Sequence, residues 1–316
     1  MKKKYCGPLL HQIIKPMEMR IQRYFFIVLI LFCISLTARG NDEIPVFYKI
    51  ASLNISMDQA ISKTQEALVD NGYLVLGDYS PANRSDFHVV AFTSTALQNI
   101  TLQIEDRGAL ASVLKVGFVK VGGRIDVSLL NPEYIFYGYL RDEFEKHKKE
   151  LSLINQEVKN ALSSIGEEWT PFGGVLTSKD LKKYHYMIGM PYFDDPVTLN
   201  EFTSFDSGVD IIRKNLNEGK GNTIMVYEEI FKENQVAVFG VGLLDPEEGE
   251  SRFLPIIGPS HIAAMPYEII LQGNQATILH GRFRFALHWP ELTMGTFTKI
   301  MSTPGYVKDT MKALTE

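Results

Sequence analysis

The feature that most restricts how this chain can fold is repetition: four blocks recur, in the same order, in its two halves. Ser204-Phe205-Asp206-Ser207-Gly208-Val209 follows the pattern of Ser56-Met57-Asp58-Gln59-Ala60-Ile61, and Val236-Ala237-Val238-Phe239 that of Val89-Val90-Ala91-Phe92. Ile262-Ala263-Ala264-Met265 falls where Leu110-Ala111-Ser112-Val113 falls, and Arg282–Leu292 aligns without a gap on Arg124–Tyr134. Ser56 to Pro132 is 76 residues and Ser204 to Pro290 is 86, so the excess belongs to a longer loop around Asp245–Gly258. Such an ordered series is the signature of an internal repeat, and 316 residues suffice for two cores. The alternative, two unrelated domains that both cap helices with Ser and Pro, has to explain every matched block separately.

Periodicity fills in the first unit. Residues 47–55 alternate as a strand, Ser56 caps an amphipathic helix, and Asn71-Gly72 stops it. Strands are expected at 73–79 and 87–94, a short helical or irregular piece at 95–112, and a further strand over Val113–Val121. Gly122-Gly123 reverses the chain into Arg124–Leu130. Asn131-Pro132-Glu133 then opens a long helix expected to reach Ile165. The expected organisation is 1–40 as signal peptide or N-terminal anchor, 41–165 as the first repeat, 166–199 as linker and 200–316 as the second repeat.

On these residues the chain resembles the domain-of-unknown-function family 302. The resemblance rests on the helix start Ser56–Ala60 with Gly72-Tyr73, the Val89–Phe92 strand, Leu110-Ala111, and the strand ending Leu130-Asn131-Pro132-Glu133-Tyr134. It covers 43–165 well and 200–316 more distantly, where His288-Trp289-Pro290 stands in place of the Asn-Pro step. It implies an α+β fold of two tandem copies, each a strand, a helix, four strands and a closing helix, similar to the TATA-binding-protein-like class. An antiparallel sheet with helices on one face is then expected in each copy. The resemblance brings no established activity and no catalytic residues.

The first forty residues differ in kind. Lys2, Lys3, Lys4, Lys15, Arg20 and Arg23 precede the apolar run Phe25–Leu36, and Ala38-Arg39-Gly40 offers small residues for cleavage. This is the order of a signal peptide, although the run also fits a short inner-membrane anchor. The expected location is therefore the periplasm or cell envelope. Removing 1–40 takes seven of the 32 Lys and Arg and one of the 37 Asp and Glu, leaving 25 against 36, a net of −11. That balance argues against nucleic acid as a partner, because its affinity comes from neutralised phosphates. Cys6 and Cys33 both lie in the leader, so the mature chain can form no disulfide or thiolate metal site. Gly219–Gly221 and Gly240-Val241-Gly242 lack the spacing of a phosphate loop, and no cofactor is expected.

The sharpest local feature is His280–His288, read as a strand. Gly281, Phe283, Phe285 and Leu287 would then form one apolar side, and His280, Arg282, Arg284 and His288 a basic row on the open face. Glu268 of the preceding strand is the expected neighbour. Guanidinium groups suit planar oxygens, so the row is a candidate site for a carboxylate or other anion. The competing reading is a solvated strand face. His280 and His288 lie about 26 Å apart in an extended strand and cannot share a metal.

The expected function is non-enzymatic: a binding or accessory role for a small anionic or amphiphilic ligand, or for an envelope protein partner, with membrane contact only through the N-terminal segment. The alternatives are an envelope enzyme using His280, Arg282, Arg284, His288 and Glu268 for acid/base chemistry, and a purely structural assembly module.

Overall fold

Ser56 marks the start of the first helix by both bonds of a capping box: its hydroxyl accepts the Gln59 N–H at 3.2 Å, and the Gln59 carboxamide oxygen accepts the Ser56 N–H at 3.0 Å. Ser204 repeats the first of these with Ser207, also at 3.2 Å. The computed structural model describes residues 43–316, one compact unit; the segment expected as signal peptide or anchor and both cysteines fall outside the described residues.

The first repeat comprises β1 (Glu43–Leu53), α1 (Met57–Asp70), β2 (Leu74–Tyr79), β3 (Phe87–Thr93), α2 (Thr95–Thr101), β4 (Leu114–Val121), β5 (Arg124–Leu130), α3 (Pro132–Ile135) and α4 (Lys148–Leu162). A connector follows with β6 (Thr170–Thr177) and α5 (Ser178–Lys182). The second repeat comprises β7 (Val197–Glu201), α6 (Phe205–Asn217), β8 (Thr223–Phe231), β9 (Val236–Leu243), α7 (Glu250–Ile257), β10 (Tyr267–Gln272), β11 (Gln275–Ile278), α8 (Gly281–His288), α9 (Met294–Lys299) and α10 (Thr303–Ala313).

The chain is thus α+β, with two antiparallel sheets. Their strand orders are β2-β3-β4-β5-β1-β6 and β8-β9-β10-β11-β7, the same order apart from the added sixth strand. Irregularities recur as well. The β2–β3 ladder skips Leu76 and the β8–β9 ladder skips Val226; the β1–β5 ladder skips Ile50 and the β7–β11 ladder skips Leu199. A bulge re-aims every side chain beyond it, so two bulges in matching ladders are a stronger fingerprint of one design used twice than strand order alone.

This register corrects the sequence alignment, since the matching bulges equate Phe92 with Val241 and not with Phe239. The counterpart of β5 is β11, entered through a Gly273-Asn274 turn, and not the stretch that begins at Arg282. The long helix expected from Asn131 to Ile165 is also broken. After α3 the chain widens into a π-helical turn over Phe136–Leu140, and Arg141 (φ 53°, ψ −125°) reverses it before α4. Tyr134 through Leu140 are all buried, a demand that one face of a regular helix cannot meet. Nor is the 166–199 linker an unstructured connection, because β6 pairs with β1 through Glu43↔Thr177, Phe47↔Phe172 and Lys49↔Thr170.

Helices cover one face of each sheet, and most of the other face is taken by the opposite repeat. Along β4, Lys115 meets Glu268 of β10, and a Cβ at Gly117 would collide with Ile262 and Ala263. A Cβ at Gly242 of β9 would collide with the Tyr79 ring of β2. The central strands are therefore buried on both sides, which is why Val89–Phe92 and Val238–Phe239 are apolar without alternation.

Candidate functional site

The stretch read as a basic strand, His280–His288, is helix α8. His280 caps it, its Nδ1 accepting the Arg282 N–H at 3.2 Å, as Asn131 caps α3 by accepting from Glu133 at 3.2 Å. Both helices thus begin on a side chain that accepts the N–H two residues further on. Because α8 is buried nearly all round, its apolar residues show no helical stripe, and the polar alternation came from chance spacing. The docking surface expected on a strand face is therefore absent: Arg284, His288 and Glu268 are 1%, 1% and 6% exposed. Only Arg282 is exposed and His280 half-buried, beside His185 and Tyr192.

The buried members do come together. Glu268 accepts from Lys115 Nζ on one oxygen and from Arg284 Nε at 3.3 Å on the other. Arg284 Nη2 donates to the carbonyls of Ala264 and Pro266 at 2.6 and 2.7 Å, and its guanidinium lies 3.8 Å from the Tyr267 ring centre. His288 Nδ1 donates to the Arg284 carbonyl at 2.9 Å, an assignment that follows from the acceptor being a carbonyl. Burial, reinforced by Arg284, depresses the His288 pKa, so the ring is neutral. Burial also lowers Lys115, against the attraction of Glu268. Groups so enclosed hold the halves together; they offer a solvent-borne substrate no approach, which counts against the acid/base reading.

Register gives this cluster a second meaning. Lys115 lies opposite Ala91 in the β3–β4 ladder, and Glu268 opposite Gly240 in the β9–β10 ladder, each one position beyond the partners of Phe92 and Val241. They are equivalent residues of the two repeats, and they pair with each other. A similar exchange occurs nearby. Tyr79 and Glu229 each stand three residues past the skipped position of β2 and β8. The Tyr79 hydroxyl donates to Glu250 of α7 at 2.7 Å, while Glu229 accepts from Gln98 of α2 at 2.6 Å and from Ser112 at 2.5 Å. Glu250 also accepts from the Ala82 and Leu243 amides at 2.8 and 3.2 Å, yet burial still pushes its pKa up to about 7. Lys115 and Tyr79 were not singled out from sequence; a lysine inside the otherwise apolar Leu114–Val119 run was the available signal.

One part of the inter-repeat face stays open. Beyond Gly117 the same side of the first sheet presents Val119 and Val121 of β4, Asp126 and Ser128 of β5, Lys49 of β1, and Thr170 and Phe172 of β6. Pro259 and Ser260, from the long loop of the second repeat, overhang it, leaving a groove of about 360 Å³. Val121 is 54% exposed at its mouth, and Phe172 stacks on Phe47 at 5.2 Å. Lys49 sits between Asp126 (3.2 Å) and Glu168 (3.7 Å), so these three side chains give the rim one more negative charge than positive. His261, isolated in the sequence, lies edge-on to Phe47 and Phe172 as part of the aromatic packing behind the overhang. At the matching end of the second sheet the apolar wall is missing: Gln272, bonded to the Glu105 carbonyl at 2.6 Å, and exposed Gln275 stand where the first sheet has Val119 and Asp126.

No family model matches the chain, and neither does any curated protein. Among solved structures, a crystal structure titled uncharacterized conserved protein DUF302 from Bacillus stearothermophilus aligns over 37% of this chain and 96% of its own, at 14% identity and a TM-score of 0.33. Among the described residues no group of His, Cys, Asp or Glu has the arrangement of a metal site.

Proposed function

We propose that this is an exported envelope protein built from two fused copies of a family 302-like domain, and that it binds a small amphiphile without chemical turnover. The observation that carries the reading is the groove under Pro259 and Ser260, walled by apolar side chains in the first repeat where the second presents Gln272 and Gln275. A concave, mainly apolar site with a few polar groups at its rim is the usual form of a small-molecule pocket. Val119, Val121 and Phe172 supply the apolar wall. Lys49 is already flanked by two carboxylates, so a neutral or zwitterionic head group suits the rim better than an anionic one.

Calorimetric titration with monomeric decyl maltoside and with decanoate tests this. Decyl maltoside should bind more tightly than decanoate, and Val121→Asp, at the exposed mouth, should weaken it several-fold. Val69→Asp, on the exposed side of α1, should leave it unchanged. Failure of both amphiphiles to bind, or equal binding by both variants, would rule the groove out as the site.

A further inference from the structure

We propose that the connector turn Met187–Tyr192 is a lip that seats the protein on an anionic phospholipid surface, a membrane contact additional to the N-terminal segment. Ile188 at its tip is 97% exposed, Met187 and Tyr192 are each 45% exposed, and Met294 of α9, on the crevice shared with Met190 and Arg282, is 52% exposed.

The turn is built, not frayed. The Met190 N–H bonds the Met187 carbonyl at 3.0 Å, and His185 Nε2 donates to the Met190 carbonyl at 2.8 Å. The His185 and Tyr192 rings stack 4.0 Å apart at 8°, and the Tyr192 N–H donates to Asp195 at 2.9 Å. One exposed isoleucine would mean little, but Met187, Ile188 and Tyr192 put three exposed apolar side chains on one six-residue turn, and clustered exposure of this kind marks an interaction surface.

Charge and chain path favour a lipid surface as that medium. Around the turn, Lys179, Lys183 and Arg282 have no ion-pair partner among the described residues, although residues 41–316 carry a net charge of −11. Of the carboxylates closest in sequence, Asp194 pairs with Arg141, while Asp180 and Asp195 accept from the Thr177 hydroxyl and the Tyr192 amide and keep their charge, so three cations stand against two carboxylates. Apolar tip, interfacial tyrosine and basic surround are the components of reversible attachment to anionic lipid. The sequence places the apolar run Phe25–Leu36 only six residues before Glu43. Glu43 pairs with Thr177, the residue that enters α5 and leads directly to the turn. No helix among the described residues is long and apolar enough to cross a membrane, so the contact is superficial.

The test uses the full chain with Cys6 and Cys33 changed to Ser and a single cysteine, Ile188→Cys, carrying an environment-sensitive nitrobenzoxadiazole fluorophore. The chain is reconstituted in phosphatidylcholine vesicles containing phosphatidylglycerol, with acyl chains brominated as quenchers. Emission at position 188 should shift to the blue and be quenched at least several-fold more than from Val69→Cys on α1. Changing Lys179, Lys183 and Arg282 together to Glu, all at solvent-facing positions, should abolish that difference. Equal quenching at 188 and 69, or undiminished quenching in phosphatidylcholine alone, would overturn the proposal, as would a tip shielded only by a second copy at high protein concentration.

Discussion

Glu268 holds two cations where one would balance it, so the partners of this buried cluster are not interchangeable. Glu268→Gln leaves Lys115 and Arg284 facing each other without their shared carboxylate and should cost about 3–5 kcal/mol in denaturant unfolding. Lys115→Met leaves Arg284 and Glu268 matched and should cost clearly less; equal losses would show that the lysine, too, is indispensable. Glu250 makes a pH prediction. Its folded pKa of about 7 lies above the ordinary 4.5, so its contribution to stability is complete below pH 4.5 and is lost as pH rises through 7. The loss is on the order of 3 kcal/mol. Buried His288, held neutral, contributes with the opposite sign as pH falls, so the quantity to measure is the difference between wild type and Glu250→Gln from pH 5 to 8. That difference should change across the window; a flat one would mean Glu250 titrates normally. Charge alone drew attention to Glu268, Arg284 and His288 in the sequence, and they do converge. What sequence could not convey is that the face they point to is occupied by the other repeat.

Elements were legible where one face is wet and one is dry. Helices α1 and α6, with Ser caps and amphipathic stripes, and the Gly122-Gly123 hairpin stand where periodicity puts them. The reading failed where a segment is buried on every side. The eight residues of α8 carry no 3.6-residue stripe, and the run from Tyr134 to Leu140 breaks a helix whose start was correctly signalled by Asn131-Pro132. Strand β6 was unreadable for another reason: Pro171 and the positive-φ pair Gly173-Gly174 look like linker. On an edge they are protective, because they disrupt the row of free backbone groups that would recruit another chain. Gly173 also has a packing role, since a Cβ there would collide with Phe47 at a φ of 80°. Gly173→Val should therefore lower stability by about 2 kcal/mol or more, measured by thermal unfolding, and weaken decyl maltoside binding by displacing Phe172. Unchanged melting would remove this strand from the argument about the groove.

At the scale of the whole molecule, each sheet is finished by the other. Cut within the connector and produced separately, residues 43–182 and 196–316 should aggregate or stay unfolded, while together they should assemble one-to-one, as sedimentation velocity of the mixture would reveal. The deciding detail is the lysine in one half that occupies the place of a glutamate in the other. Were either half to dimerise with itself in this geometry, like would face like: ammonium against ammonium, or carboxylate against carboxylate, in a dry seam. Divergence at that single position turns a self-complementary surface into a lock with a foreign key, so each half rejects its own kind and neighbouring molecules have little incentive to trade halves.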